Sequence, residues 1–86
     1  TIGINDEESE VSVNLYPNPF LNQLIIQCGS KSEYKFILYD NLSRIKLKET
    51  FIGNSTISTD NLSNGIYFYE IRDAEKQLKT GKVIKK

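Results

Sequence analysis

Rhythm constrains this chain more than any single residue. Short runs rich in Ile, Val, Tyr, Phe and Thr are broken by turn-forming residues roughly every 8–12 positions, the spacing of an antiparallel sandwich or barrel. Val11, Val13 and Leu15 alternate with Ser12 and Asn14, the period-2 pattern of a half-buried strand. Tyr16-Pro17-Asn18-Pro19 ends that strand, because two prolines fix φ twice and remove two ladder donors. Six more runs follow: Leu21–Cys28, Tyr34–Tyr39, Arg44–Phe51, Ser55–Thr59, Ile66–Arg72 and Gln77–Lys85. The gaps hold Gly29-Ser30, Asp40-Asn41-Leu42-Ser43, Gly53-Asn54, Asn64-Gly65 and Asp73-Ala74-Glu75, all turn chemistry. No segment carries a sustained helical stripe. The pattern predicts an all-β fold, an immunoglobulin-like antiparallel β-sandwich of about seven strands.

Alternation within the runs names the core. Tyr67, Tyr69 and Ile71 share one face of their strand, and Ile66, Phe68 and Glu70 share the other. Phe36 and Leu38 oppose Lys35, Ile37 and Tyr39. Both strands are apolar on both faces, so each is expected to lie between the core and a second contact. Asp-Asn-Leu-Ser occurs at Asp40–Ser43 and again at Asp60–Ser63, predicting two similar turns whose Leu tucks into the core. Gly65 follows Asn64, a pair suited to the positive φ of a tight turn.

Charge divides the ends. Asp6, Glu7, Glu8 and Glu10 crowd residues 1–12, which read as a linker to an upstream domain, with 13–86 as the folded domain. After Glu75 every charge is positive: Lys76, Lys79, Lys82, Lys85 and Lys86. The basic run is either a contact surface or a guard on an edge strand. With 11 basic and 11 acidic residues the formal net charge is zero, which does not suit a bulk nucleic-acid binder. No apolar run approaches the ~18 residues of a membrane helix. The chain does not begin with Met and opens with no signal peptide, so it is read as a piece excised from a longer precursor.

Catalytic chemistry is sparse. The sequence has no histidine, so Ser-His-Asp, Cys-His and imidazole metal sites are excluded within it. The one cysteine, Cys28, ends an apolar run and reads as a buried structural thiol. Glu7/Glu8 and Asp73/Glu75 lie in a linker and a turn, where water keeps carboxylate pKa values ordinary. No phosphate loop, dinucleotide fingerprint or calcium loop occurs, so no cofactor or metal is expected. Three N-x-[ST] triplets, at Asn41, Asn54 and Asn61, are accounted for by turn-forming Asn beside Ser or Thr. Tyr67, Phe68 and Tyr69 are consecutive, point to alternate faces and do not form a stacking platform.

Three segments taken together resemble a known family. Leu15-Tyr16-Pro17-Asn18-Pro19-Phe20 opens the domain, Asn61–Tyr69 (NLSNGIYFY) sits late in it, and Thr80-Gly81-Lys82-Val83-Ile84-Lys85-Lys86 closes it. Ile37-Leu38-Tyr39-Asp40 followed by Arg44-Ile45 fits between them. In this order they resemble the type IX secretion system C-terminal sorting domain, type A (the Por secretion system sorting family). One departure is Ser43, where the family usually has a glycine before the basic residue; a non-Gly residue can take the left-handed conformation at modest cost.

The resemblance implies a C-terminal signal, not an enzyme. It directs a fused cargo of a Gram-negative bacterium from the periplasm across the outer membrane, to the cell surface or medium. The implied partners are the type IX outer-membrane translocon with its shuttle protein, a sortase-like cysteine peptidase that cuts upstream of the domain, and the cargo in the same chain. By the same resemblance Pro17, Asn18, Pro19, Gly65, Tyr67, Gly81, Lys82, Lys85 and Lys86 are the candidate recognition residues. The three lysines are expected to be exposed, and the last strand to offer a free edge for strand addition. The alternative is an accessory fibronectin-like spacer or a carbohydrate-binding module of a secreted enzyme.

Overall fold

The computed structural model describes residues 13–74 and 77–86. The expected start of the first strand, at Val11, and the linker over 1–12 lie outside the described residues. Among the described residues there are seven strands: β1 (Val13–Tyr16), β2 (Gln23–Cys28), β3 (Glu33–Tyr39), β4 (Ile45–Ile52), β5 (Ser55–Ser58), β6 (Gly65–Arg72) and β7 (Gln77–Lys85). They form a three-stranded sheet, ordered β1-β2-β5, and a four-stranded sheet, ordered β4-β3-β6-β7. Every ladder is antiparallel. The two sheets pack as the β-sandwich that the spacing predicts.

Inward-facing alternation builds the core. Val13, Leu24, Ile26, Cys28 and Ile57 come from the smaller sheet; Tyr34, Phe36, Leu38, Phe51, Tyr67, Tyr69, Ile71 and Val83 come from the larger. Tyr69 lies against Phe36, with ring centroids 6.2 Å apart, and burial pushes its phenol pKa up. Cys28 is buried and unpaired, as a structural thiol. Its N–H donates to Asn54 Oδ1 at 3.1 Å, which gives one of the three sequon asparagines a turn-fixing role.

The structure corrects two expectations of detail. β2 begins at Gln23, not Leu21: Leu21 O turns to Lys85 Nζ, and Asn22 O accepts Thr59 N–H one step beyond the β2–β5 ladder. The two Asp-Asn-Leu-Ser turns also differ. Leu62 packs against the core, whereas Leu42 is 66% exposed. Asp60 is exposed, whereas Asp40 is buried and organises the β3–β4 hairpin. Asp40 Oδ1 accepts the N–H groups of Leu42 (2.8 Å) and Arg44 (2.9 Å), and Oδ2 accepts Arg44 Nε (2.8 Å). Main-chain bonds from Asp40 N to Arg44 O and from Ser43 N to Asp40 O close the loop. Ser43 has φ 66°, the left-handed conformation usually given to glycine.

The Arg44 N–H is the main influence holding the Asp40 carboxyl below the usual range. The Leu42 N–H and the Arg44 guanidinium add to it, against a partial desolvation that opposes them. A carboxylate favoured by the fold stabilises it above the unfolded pKa of about 3.9, and that contribution is lost as pH falls through the lower folded value. Asp40→Asn keeps both backbone acceptor bonds available and removes the charge. Thermal melts should therefore show the variant less stable than the parent at neutral pH, with the difference closing as pH is lowered below about 4. A difference that is flat with pH would assign the effect to shape alone.

Candidate functional site

Most of the residues singled out in the sequence meet at one end of the sandwich, and Gly81 lies midway along β7 opposite Tyr69. Pro17 and Pro19, each preceded by a cis peptide bond, cannot donate to a ladder, so the residue between them works through its side chain. Asn18 Nδ2 donates to Lys82 O at 3.1 Å, and Asn18 Oδ1 accepts Ile84 N–H at 3.0 Å. One residue beyond Pro19, the main chain resumes the pairing. Phe20 N donates to Ile84 O (2.8 Å), Lys86 N donates to Phe20 O (2.9 Å), and Phe20 forms a parallel bridge with Lys85. The Phe20 ring is fully buried, 6.3 Å from the ring of Tyr67. Residues 18–20 thus act as a short extra strand along β7.

This corrects the expectation of a free terminal edge. From Lys82 to Lys86 the outward-facing groups Lys82 O, Ile84 N, Ile84 O and Lys86 N are already bonded to Asn18 or Phe20. Strand addition by a receptor at this stretch would have to displace residues of the domain itself.

Lys85 is the second correction. It was expected to be exposed, but it is 9% exposed and faces inward. Its Nζ donates to Leu21 O and to Thr59 O, the latter at 2.9 Å, and lies 5.9 Å from the Phe20 ring centroid. The ammonium ties three separated segments together through carbonyls and an aromatic face. It is satisfied without a carboxylate. Lys82 and Lys86, by contrast, are exposed.

The remaining candidates have structural work in the same region. Gly65 opens β6 opposite Lys85 with φ 149°, a conformation that L residues rarely adopt. Of the Asn64-Gly65 pair only the glycine has positive φ. Tyr67 is buried, and its hydroxyl donates to Ser63 O at 2.6 Å, bracing the turn before β6. Gly81 lies across from Tyr69, and a Cβ placed there would stand 2.7 Å from the Tyr69 hydroxyl and 2.8 Å from the ring. The close approach of that buried ring requires a glycine.

Sequence reasoning missed Phe20 as the hub, although a large aromatic directly after Pro-Asn-Pro is a visible signal. It also missed Leu21 and Thr59. Both serve Lys85 through carbonyl oxygens, which any residue carries, so no side-chain signal existed. Among the described residues, no group of three or more His, Cys, Asp or Glu could hold a metal ion, and no helix is long and apolar enough to cross a membrane.

The family model of the secretion system C-terminal sorting domain matches residues 14–86. The chain belongs to this family. No curated protein and no solved structure gives a significant match. The match covers every described strand except for Val13, the first residue of β1, and the segments of the sorting domain that carried the resemblance are those that converge at Phe20 and β7. Its function is therefore that of a type IX secretion sorting signal, implying interaction with the secretion machinery and export to the cell surface or medium.

Two mutational outcomes follow from this geometry. Lys85→Met should destabilise the sorting domain by about 1–3 kcal/mol, because the Leu21 and Thr59 carbonyls lose a charged donor, whereas Lys82→Gln should stay within about 0.5 kcal/mol. Urea unfolding of both variants checks this, and equal midpoints would show the Lys85 clamp to be inert. Gly81→Ala should cost about 1–3 kcal/mol by overpacking against Tyr69. An unchanged midpoint would mean that the ring swings aside freely.

Proposed function

We propose that this domain is an address read in the folded state, and that its cargo lies upstream of Thr1. The observation that carries this reading is the convergence of the three family-like segments into one hydrogen-bonded corner. Pro17, Asn18, Pro19, Gly65, Tyr67 and Lys85 assemble the corner, Gly81 seats the Tyr69 ring farther along β7, and Lys82 and Lys86 present charge beside it. An unfolded chain would scatter these groups, so only a folded domain displays the address.

The route has three steps. The precursor passes through the periplasm, where the domain folds. The type IX translocon and its shuttle protein recognise the domain and carry the cargo across the outer membrane. A sortase-like cysteine peptidase at the surface then cuts within or beside residues 1–12, which are acidic, polar and suited to an extended peptidase substrate. Every bond broken belongs to the peptidase's chemistry; the sorting domain contributes recognition and a boundary.

The test is a reporter carrying an N-terminal signal peptide and residues 1–86 at its C-terminus, expressed in a host with type IX machinery. The reporter should reach the surface or medium, and its new C-terminus, read by mass spectrometry, should fall in or next to residues 1–12. The Lys82→Gln/Lys86→Gln double variant should keep the parent melting temperature, since each exposed change stays within about 0.5 kcal/mol, while export falls. Lys85 is left intact because its change would confound folding with recognition. A parent reporter held in the periplasm would sink the sorting reading.

A further inference from the structure

The outward face of the four-stranded sheet carries an apolar strip that the core does not use. The register puts Ile66 beside Ile84 in one row. The next row runs Ile45, Tyr39, Phe68, Lys82 across β4, β3, β6 and β7. Ile66 and Phe68 are 46% and 43% exposed, and Ile45 and Ile84 are exposed as well. In the third row Ile37 is buried between Lys48 and Glu70 and continues the apolar face. Five neighbouring large apolar side chains on one sheet face form a continuous patch, unlike single exposed apolar residues, which are ordinary.

The border of the strip is cationic. Lys82 ends the Phe68 row and Lys48 flanks Ile37, and neither forms an ion pair among the described residues. Glu70, the carboxylate nearest the strip, is held by Tyr39 Oη, Arg72 and Gln77. Beyond Ile37 a groove of about 540 Å³ opens, in which Lys35, Lys48 and Arg72 stand against Glu33 and Asp73. Two copies of this face pressed together would bring unpaired lysines onto one another. A surface with apolar side chains bordered by carboxylates complements it instead. The adjoining edge of β7 is closed by Asn18 and Phe20, so a partner arriving at Lys82–Lys86 meets the sheet face and not an open ladder.

We propose that the strip formed by Ile45, Tyr39, Ile66, Phe68 and Ile84 is the docking face for a component of the export machinery, whose matching surface is apolar with an acidic rim. This rests on the sorting function proposed above and adds to it the surface and the chemistry of the partner. Lys82 belongs to both surfaces, which makes the strip continuous with the corner built around Phe20.

The experiment uses the same signal-peptide reporter fused to the full chain, in three variants. Ile66→Thr/Phe68→Thr/Ile84→Thr removes the apolar strip with β-branched residues that suit a strand. Lys48→Glu/Lys82→Glu inverts the rim by changing two exposed side chains. Gln27→Glu/Ser58→Glu places new charge on the outer face of the other sheet as a control. Export should fall about tenfold or more in the first two, as for the loss of central interface contacts, and hold in the control. Melting temperatures near the parent's show that the fold persists; if the triple variant unfolds, the charge inversion decides. If the parent is exported and both face variants match it, the docking face is refuted while the sorting function stands. A parent that is not exported refutes both. Sedimentation of the purified chain should show a monomer. A dimer that the Phe68 change dissociates would assign the strip to a second copy and overturn the proposal.

Discussion

The seam between Phe20 and the last strand is the constraint on which this end of the sandwich depends. Among the described residues the two sheets are joined by no strand ladder, and the smaller one would be held by side-chain packing alone. Phe20 changes that. Its N–H and C=O bond to Ile84 and Lys86 of the larger sheet, four residues after β1 leaves the smaller one. Its ring fills the space under Tyr67, where truncation of a buried aromatic is worth about 3–5 kcal/mol, a large share of the ~5–15 kcal/mol that holds a small domain folded. Lys85 then locks the seam from inside by drawing the carbonyls of Leu21 and Thr59 onto one ammonium. The prolines make the seam possible: with no N–H at residues 17 and 19, the segment cannot rejoin β2 and passes to β7 instead.

Much of the fold was legible because sandwich strands write their burial into alternation. Phe36 and Leu38, and Tyr67, Tyr69 and Ile71, face the core as their spacing requires, and the outward Ile37, Tyr39 and Phe68 gave notice of a second apolar face. Cys28 and Gly65 also took the environments that their neighbours in sequence suggest. The failures have a common cause. Lys85 sits in a lysine-rich strand that reads as an exposed guard, and its partners are carbonyls contributed by loops 26 and 64 residues away. Backbone acceptors leave no trace in a sequence. The two Asp-Asn-Leu-Ser turns diverge in a similar way: Asp40 accepts the Leu42 and Arg44 N–H groups and the Arg44 guanidinium, while Asp60 lies in solvent.

The candidate site was legible as a set and illegible as a mechanism. Every described member of the set clusters near β7, yet most are explained by packing. Gly81 admits the Tyr69 ring, Tyr67 braces Ser63, and Asn18 substitutes for a strand. Residues that resemble a family's motifs are therefore not the same as residues that touch a partner. What remains for contact is what the fold leaves unsatisfied: the exposed Lys82 and Lys86, and the outward strip around Phe68.

That division gives the sorting signal a physical logic. The chemistry of the exposed groups is ordinary, a few lysines and aliphatic side chains, and any unfolded segment could carry as much. What is particular is their arrangement: the register sets Ile66 beside Ile84 and Phe68 beside Lys82, and the register exists only when β6 and β7 pair and Phe20 closes the edge. A receptor that reads this pattern reads the completion of folding. The buried seam and the exposed strip lie on the two faces of the same strand pair, since Tyr67 and Lys85 point inward where Ile66, Phe68 and Ile84 point outward. Damage to the seam would disturb the strip, so a domain that has not closed around Phe20 would present no intact address.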